Sequence, residues 1–196
     1  MTVQIARPWL RGTDSRAHNQ SMRPLSDRIN VERVTSADKD AISLILDEGI
    51  GGYASFAPDG WSPPLVTDQM KVALSERFDT AVAWGLLASA GDEPAGLVSI
   101  STIVRADTNP APRGSGYLWH MFVRPEWQGS GLAGALLDRA LEQASERGFQ
   151  RLILWTPAGQ AQARRFYERE GFTLTGQEQF NEDIGLDLVQ YERLVG

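Results

Sequence analysis

Residues 117–123, Tyr117-Leu118-Trp119-His120-Met121-Phe122-Val123, form an apolar run of the length of one β-strand. Arg124-Pro125-Glu126-Trp127 interrupt this strand, and Gln128-Gly129-Ser130-Gly131-Leu132-Ala133-Gly134 then open a long amphipathic pattern. A strand, a glycine-rich loop and a helix start therefore follow one another along the chain. This order brings backbone N–H groups together at one point, where they can bind an anion. The stretch predicts an anion-binding site that the other elements support.

The composition of the 196-residue chain is that of a globular protein with one domain, with 42% hydrophobic and 22% charged residues. The formal net charge of -6 argues against a nucleic-acid partner, because neutralising phosphates requires a basic face. A small phosphorylated ligand needs only a local group of donors. The absence of cysteine from the sequence excludes disulfides, thiolate metal sites and a cysteine nucleophile.

The distribution of apolar residues predicts a cytoplasmic protein without a membrane partner. No apolar run approaches the roughly 20 residues of a membrane helix, and the N-terminus lacks the long apolar region of a secretory signal. Residues 1–28 are rich in Arg, Ser, Asn and Pro and show no sustained period. We expect them to form a flexible extension in front of a domain over residues 29–196.

Hydrophobic periodicity predicts the elements around the opening stretch. The first helix is capped by Thr35 or Ser36, carries Ala41, Leu44 and Ile45 on one face, and stops at residues 49–52. Further strands are expected over residues 29–34, 80–89, 95–104, 151–155, 173–180 and 186–194, and helices over residues 66–78, 131–147 and 160–170. Gly148 is expected to end the long helix in a left-handed conformation. Because this helix separates the strands at 117–123 and 151–155, the two should be parallel.

Three kinds of phosphate site are compatible with a glycine loop after a strand. Gly129, Gly131 and Gly134 match the spacing of the dinucleotide fingerprint, but four residues separate them from the strand, and no carboxylate follows the next strand to bind a ribose. A nucleoside-triphosphate loop requires a Gly-Lys-Ser/Thr sequence, and this loop contains no lysine. A third kind of site agrees better with the flanking sequence.

Residues 123–133 (VRPEWQGSGLA) and residues 163–172 (ARRFYEREGF) together resemble two motifs of the GNAT superfamily of acyl-CoA-dependent N-acyltransferases. The loop motif, Arg/Gln-x-x-Gly-x-Gly/Ala, is matched by Gln128, Gly131 and Ala133. The resemblance implies an α/β fold with a mixed central sheet of about seven strands, a splayed parallel pair and about four flanking helices. It also implies acetyl-CoA as the acyl donor and no metal ion.

The resemblance assigns cofactor contacts to two parts of the chain. The backbone of Met121, Phe122 and Val123 corresponds to the strand segment that bonds the pantetheine arm. The loop corresponds to the family's pyrophosphate-binding loop, and it comprises Gln128, Gly129, Ser130, Gly131, Leu132 and Ala133. Glycine lets the backbone approach a phosphate closely, and the helix N-terminus adds N–H donors. Gln160 stands where many relatives carry a cofactor-binding asparagine.

Two residues are the catalytic candidates for attack of an amine on a thioester. Tyr167 occupies the general-acid position of the family, and a phenol is protonated at neutral pH. As an alternative, it is a core tyrosine. His120 is the candidate base because imidazole titrates in the useful range, although a single histidine in an apolar strand is often purely structural. Asp47 and Glu48 are further candidates for contacting an amine.

We therefore expect transfer of acetyl from acetyl-CoA to a primary amine of a small molecule, by direct attack in a ternary complex. The acceptor side should involve Tyr53, Phe56 and Trp61. The alternatives are a peptide or protein N-acetyltransferase, which needs a wide groove between the loop after the first helix and the C-terminal hairpin, and a non-catalytic CoA-binding regulatory module. A homodimer is also compatible with the resemblance.

Overall fold

The computed structural model describes Leu25, residues 28–102 and residues 113–196. Most of the extension expected over residues 1–28 lies outside these residues. The elements are β1 (Asn30–Arg33), α1 (Lys39–Gly51), α2 (Asp68–Glu76), β2 (Ala83–Ala90), β3 (Glu93–Ser101), β4 (Ser115–Val123), α3 (Leu132–Glu146), β5 (Arg151–Pro157), α4 (Ala161–Arg169), β6 (Thr173–Asn181) and β7 (Leu186–Leu194).

The seven strands form one mixed sheet in the order β1-β2-β3-β4-β5-β7-β6. The β4–β5 pair is parallel, whereas every other neighbouring pair is antiparallel. The parallel pair follows from its connection, since α3 crosses over between the two strands. The mixed α/β fold with a central sheet of seven strands and four α-helices in the described residues confirms the expected fold class.

The parallel pair separates after three residues of pairing. Its register begins at Ser115–Arg151 and ends at Tyr117–Ile153, although β4 continues to Val123 and β5 to Pro157. On its other edge, β4 remains paired with β3 through a register shift that leaves Trp119 as an extra residue. Such a bulge bends a strand. The bend carries the second half of β4 away from β5 and opens a wedge in the sheet.

Two hydrophobic cores lie on opposite faces of the sheet. One is built around α3, where Leu132, Leu136 and Leu137 are at most 1% exposed, and it includes Tyr167 of α4. The other lies under α1 and contains Ile42.

The end of α3 agrees with its prediction. Gly148 has a φ of 76°, its N–H donates to Ser145 O, and the N–H of Phe149 donates to Ala144 O, which is the hydrogen-bond pattern of a glycine-terminated helix.

The first helix differs from its prediction in its buried face. This face consists of Ile42, Ile45 and Leu46, while Leu44 is 37% exposed, so assigning Leu44 to the buried face was wrong. The i, i+3, i+4 spacing of the buried residues faces the sheet and turns Leu44 away from it. The helix ends at Gly51, within the predicted stop at residues 49–52. A Cβ on Gly49 would lie 2.1 Å from Cδ1 of Phe122, so this glycine permits close packing of α1 on β4 instead of ending the helix.

In the described portion of the chain, no helix combines the length and the apolar character needed to cross a membrane.

Candidate active site

The wedge between β4 and β5 opens into a cleft of about 880 Å³. The loop from β4 to α3, helix α4 and the end of α1 all contribute residues to its walls. Eight of the predicted site residues line it together: Met121, Phe122, Val123, Gln128, Gly129, Gly131, Ala133 and Gln160. Tyr167 lines the same cleft. Ser130, Leu132 and His120 are not among its lining residues.

Two glycines of the loop adopt a backbone conformation that other residues rarely adopt. Gly129 has a φ of 75° and Gly131 a φ of 92°, both in the left-handed region. A Cβ built on either glycine meets no heavy atom within 4 Å, because it would project into open space. The loop therefore needs glycine at both positions for its backbone conformation. Because glycine has no Cβ, a ligand can reach the backbone at both positions.

The start of α3 presents N–H groups to this open space. The first hydrogen bond of the helix runs from the N–H of Ala135 to Gly131 O. The N–H groups of Ala133 and Gly134 come before this donor, so they have no acceptor within the helix. Ser130 Oγ donates to Trp127 O over 2.6 Å and accepts from the N–H of Leu132 over 3.3 Å. The Ser130 side chain thus stabilises the loop, and the Leu132 side chain lies in the core.

The side chain of Gln128 connects the loop to the end of β4. Its Nε2 donates to Val123 O over 3.3 Å. Residues 125–134 contain no lysine or arginine. An anion at this loop would therefore be bound mainly by backbone N–H groups and by the partial positive charge of the helix N-terminus.

Helix α4 and the residue that precedes it supply two of the predicted residues at the cleft. Oε1 of Gln160 accepts from Thr156 Oγ1 over 3.3 Å, which leaves its amide nitrogen as a donor towards the cleft. Tyr167 is 7% exposed and packs edge-on against Phe172 with ring centroids 5.7 Å apart. Its hydroxyl makes no hydrogen bond to a described residue. Burial raises the pKa of Tyr167, with smaller contributions from the neighbouring Tyr53 and Tyr117, so the phenol remains protonated at neutral pH.

His120 is not among the residues that line the cleft. It is 9% exposed, its Nδ1 is 2.8 Å from Ser99 Oγ, and its ring lies 4.2 Å from that of Trp119. Burial, together with the positive charge of Arg77, lowers the pKa of His120 to about 3. The imidazole is therefore neutral at physiological pH and bonded inside the core between α1 and the sheet.

The neutral state of His120 makes stability dependent on pH. Since its pKa is about 3 in the folded protein and 6.5 ordinarily, the unfolded chain binds the proton more readily between these values, and stability is lost as the pH falls through this window. We expect His120→Asn, whose Oδ1 can replace Nδ1 opposite Ser99, to remove this contribution. Between pH 7 and pH 4, the wild-type free energy of unfolding should fall by about 3 kcal/mol more than that of the variant.

Urea unfolding at a series of pH values measures this difference. Any packing defect in the Asn variant lowers its stability by a similar amount at each pH, so the slope with pH isolates the titration of His120. Parallel pH curves for the two proteins would show that His120 is not buried in its neutral form.

Two ion pairs engage the acidic candidates Asp47 and Glu48. Arg124 binds both carboxylate oxygens of Glu48, with distances of 2.8 and 2.9 Å, and these hydrogen bonds lower the pKa of Glu48. Arg124 also donates to Pro94 O. Asp47 pairs with Lys71 over 2.8 Å and does not line the cleft. Sequence reasoning missed Arg124, whose partner Glu48 is 76 residues away along the chain.

A second feature missing from the sequence interpretation joins the loop after α1 to the C-terminal hairpin. The Trp61 indole Nε1 donates to Ile184 O, in the turn between β6 and β7, over 2.7 Å. Phe56 packs against Gly159, where a Cβ would lie 3.0 Å from the ring, and both residues line the cleft. The first contact joins the loop to the end of the hairpin, and the second joins it to the segment between β5 and α4.

Among the described residues, no three His, Asp or Glu side chains gather into a group that could hold a metal ion.

Comparison with known proteins agrees with this geometry. The family model described as "Acetyltransferase (GNAT) family" matches residues 36–172. The chain belongs to this family. A mycothiol acetyltransferase from Propionibacterium freudenreichii subsp. shermanii is 34% identical over 97 residues, which are 50% of this chain and 29% of that protein. The matches to curated relatives span 20% to 35% of the relatives' own length.

Solved structures share the fold at low sequence identity. YncA from Salmonella typhimurium, solved with its cofactor acetyl-CoA, has a TM-score of 0.67 at 22% identity, with 86% of this chain and 94% of that chain covered. A ribosomal-protein-alanine N-acetyltransferase from Brucella melitensis has a TM-score of 0.64 at 23% identity, with 84% of this chain and 99% of that chain covered. These similarities establish the arrangement of sheet and helices.

Proposed function

We propose that this protein is an acyl-CoA-dependent N-acyltransferase that transfers acetyl from acetyl-CoA to a primary amine of a small molecule. One observation carries the proposal. The wedge between β4 and β5, the N–H groups at the start of α3 and the Tyr167 phenol all open into a single cleft. A thioester carried on a long, phosphate-bearing arm requires these three features at once.

The proposed path of the cofactor follows the walls of the cleft. The pyrophosphate binds at Gly129 and Gly131, where N–H groups are open and no Cβ obstructs them. The pantetheine amides pair with the backbone of Met121, Phe122 and Val123, because β5 does not pair with this part of β4. The Gln160 amide donates to the same arm. Ser130 and Leu132 contribute by shaping the loop.

The reaction proposed for this arrangement couples acyl transfer to proton transfer. The neutral amine attacks the thioester carbonyl carbon, the new N–C bond forms and the C–S bond breaks. Tyr167, which burial keeps protonated at neutral pH, donates its proton to the sulfur as the C–S bond breaks, because the same burial disfavours the charged thiolate and raises its affinity for a proton. The amine nitrogen gives up a proton in exchange, and solvent returns one to the Tyr167 oxygen.

The proton that leaves the amine needs an acceptor, and His120 and water are the two candidates. A general base works best with a pKa near the operating pH, and the pKa of His120 is about 3. His120 also lies outside the cleft lining. These observations favour water in the cleft over His120 as the proton acceptor. The assignment of His120 as base stays a prediction, which His120→Asn also tests through its effect on turnover.

The acceptor side supports a small molecule more than a peptide. A peptide lying across the site needs a groove between the loop after α1 and the β6–β7 turn, and the Trp61–Ile184 hydrogen bond connects these two segments. Both acidic side chains nearby, Asp47 and Glu48, are engaged in ion pairs, which removes much of the attraction for a cationic acceptor. We therefore propose an uncharged or aromatic portion next to the reacting amine, against Phe56 and Phe122.

A thiol-release assay with acetyl-CoA and a panel of acceptors tests the choice of substrate. The panel contains small primary amines, with and without an aromatic group, and short peptides with a free N-terminus. We expect turnover with small amines and none with peptides. In Trp61→Phe, which keeps an aromatic ring but loses the N–H donor, the KM for the amine should rise about tenfold, as expected for losing one partly buried hydrogen bond that holds the acceptor loop.

Each other outcome of the panel points to a different conclusion. Turnover confined to peptides would replace the small-molecule acceptor by a peptide, as in the Brucella neighbour whose name specifies a ribosomal protein. Binding of acetyl-CoA without transfer to any acceptor would favour a non-catalytic CoA-binding module.

A further inference from the structure

The cationic side chains that line the cleft both belong to α4. Arg165 and Arg169 are separated by one helical turn, so both lie along the same side of the helix. They face the same space as the glycine loop, which has no lysine or arginine of its own. Positive charge in the lining of the described cleft is therefore concentrated on α4.

The two arginines differ in how they are held. Arg165 makes no ion pair or hydrogen bond with a described residue and is exposed. Arg169 stacks over the Phe166 ring at 5.3 Å and pairs with Glu170 over 3.0 Å. The preceding residue, Arg164, is instead bonded to Tyr191 and to Ala158 O, away from the lining. Arg165 thus presents a guanidinium to the cleft without a partner in the described protein.

The cleft-lining side chains of α4 differ in exposure. Tyr167 is 7% exposed, whereas Arg165 and Arg169 are exposed. In coenzyme A, the sulfur is at one end of the molecule, the pyrophosphate lies in the middle, and the ribose with its 3′-phosphate lies beyond. With the sulfur near the buried Tyr167 and the pyrophosphate at the loop, the ribose lies towards solvent, where the two arginines are exposed.

We propose that Arg165, supported by Arg169, binds the 3′-phosphate of coenzyme A and makes the enzyme distinguish CoA from 3′-dephospho-CoA. This inference rests on the proposed function. A phosphate monoester carries a charge of about −1.5 to −2 near neutral pH and offers three oxygens to a guanidinium. Arginine matches this group because its planar fork donates two parallel hydrogen bonds. The pyrophosphate uses the N–H groups of the loop, so each phosphate has its own donors.

Calorimetric titration of the full chain with CoA and with 3′-dephospho-CoA tests the proposal. We expect the wild-type protein to bind CoA about tenfold more tightly than dephospho-CoA at low salt, as expected for one exposed charge-assisted pair. In Arg165→Gln this ratio should fall to about two, while the affinity for dephospho-CoA stays the same. Raising the ionic strength should also reduce the wild-type ratio.

Arg139→Gln is the matched control. Arg139 lies on α3, is exposed beside Glu142 and does not line the cleft, so the substitution removes the same charge elsewhere. The control should keep the wild-type ratio. Equal wild-type affinity for the two ligands, or equal weakening of both by Arg165→Gln, would overturn the 3′-phosphate site while leaving the proposed function intact. Failure of the wild-type protein to bind either ligand would instead overturn the proposed function, and with it this inference.

Discussion

Replacing Tyr167 by phenylalanine is expected to lower kcat for acetyl transfer by about 10²- to 10³-fold, the range typical of a general acid. Phenylalanine fills the same volume, and the Tyr167 hydroxyl makes no hydrogen bond to a described residue. Stability and acetyl-CoA affinity should therefore change little. The loss should appear in the chemical step, because the departing thiolate no longer receives a proton from the protein. Steady-state and single-turnover rates of thiol release, measured with the best amine of the panel, give this effect.

Tyr191→Phe is the matched control for the Tyr167 variant. Tyr191 is also a buried tyrosine whose pKa is raised by burial, but it does not line the cleft, and its hydroxyl is bonded to Arg164 and Glu168. Its substitution should lower stability but leave kcat within about twofold of wild type. Unchanged turnover in Tyr167→Phe, with chemistry shown to limit the rate, would remove Tyr167 from the mechanism and leave it as a core residue.

Valine at position 131 is expected to reduce acetyl-CoA affinity by about 100-fold or more, equivalent to losing two charge-assisted hydrogen bonds to the pyrophosphate. The φ of Gly131 is 92°, a conformation that a β-branched residue strongly disfavours, so the loop must move. The new side chain also projects into the space from which a phosphate would approach. Calorimetric titration of Gly131→Val with acetyl-CoA measures the loss.

Gly148→Val separates loss of the binding site from general backbone strain. Gly148 lies at the other end of the same helix, with a φ of 76° and no heavy atom within 4 Å of the position that a Cβ would take. Its substitution should lower stability comparably to Gly131→Val, because the left-handed conformation is strained in both, while acetyl-CoA affinity stays at the wild-type value. If both variants bind acetyl-CoA equally well, the glycine loop is not the pyrophosphate site.

The elements that form the cleft could be predicted because their signals are local. The apolar run of β4 and the left-handed Gly148 each depend on residues close in sequence. The crossover through α3 then required β5 to be parallel to β4. The pattern of two motifs about thirty residues apart also indicated that the loop and Tyr167 act on one ligand, and both line the same cleft.

The side of β4 on which His120 lies could not be predicted, because the bulge at Trp119 changes the alternation of the strand. Leu118 and Met121 pack against the same core, although strict alternation would place them on opposite faces. Trp119 and Phe122 pack against the other core. Nothing in the sequence marks this extra residue, so the face of each later side chain was undetermined. The bulge is a property of the pairing with β3.

The contacts around the expected acceptor side could not be predicted from the sequence for a different reason. Trp61 and Ile184 are 123 residues apart, and Glu48 and Arg124 are 76 apart. Neither pair has a periodic or motif signal, since each forms only after the sheet has brought its elements together. The aromatic and acidic character of this side was visible in the sequence. The sequence did not show that Trp61 bonds to the hairpin turn, or that Arg124 and Lys71 pair with the acidic side chains.

The central claim is that the wedge between β4 and β5 is a binding site for an acyl-CoA. Calorimetric titration of the intact protein with acetyl-CoA tests it most directly. We expect saturable binding of one acetyl-CoA per chain, with a dissociation constant of about 1 to 100 μM, as for a typical enzyme substrate. Absence of saturable binding at concentrations up to about 1 mM, at which even a weak ligand would be detected, would contradict the account.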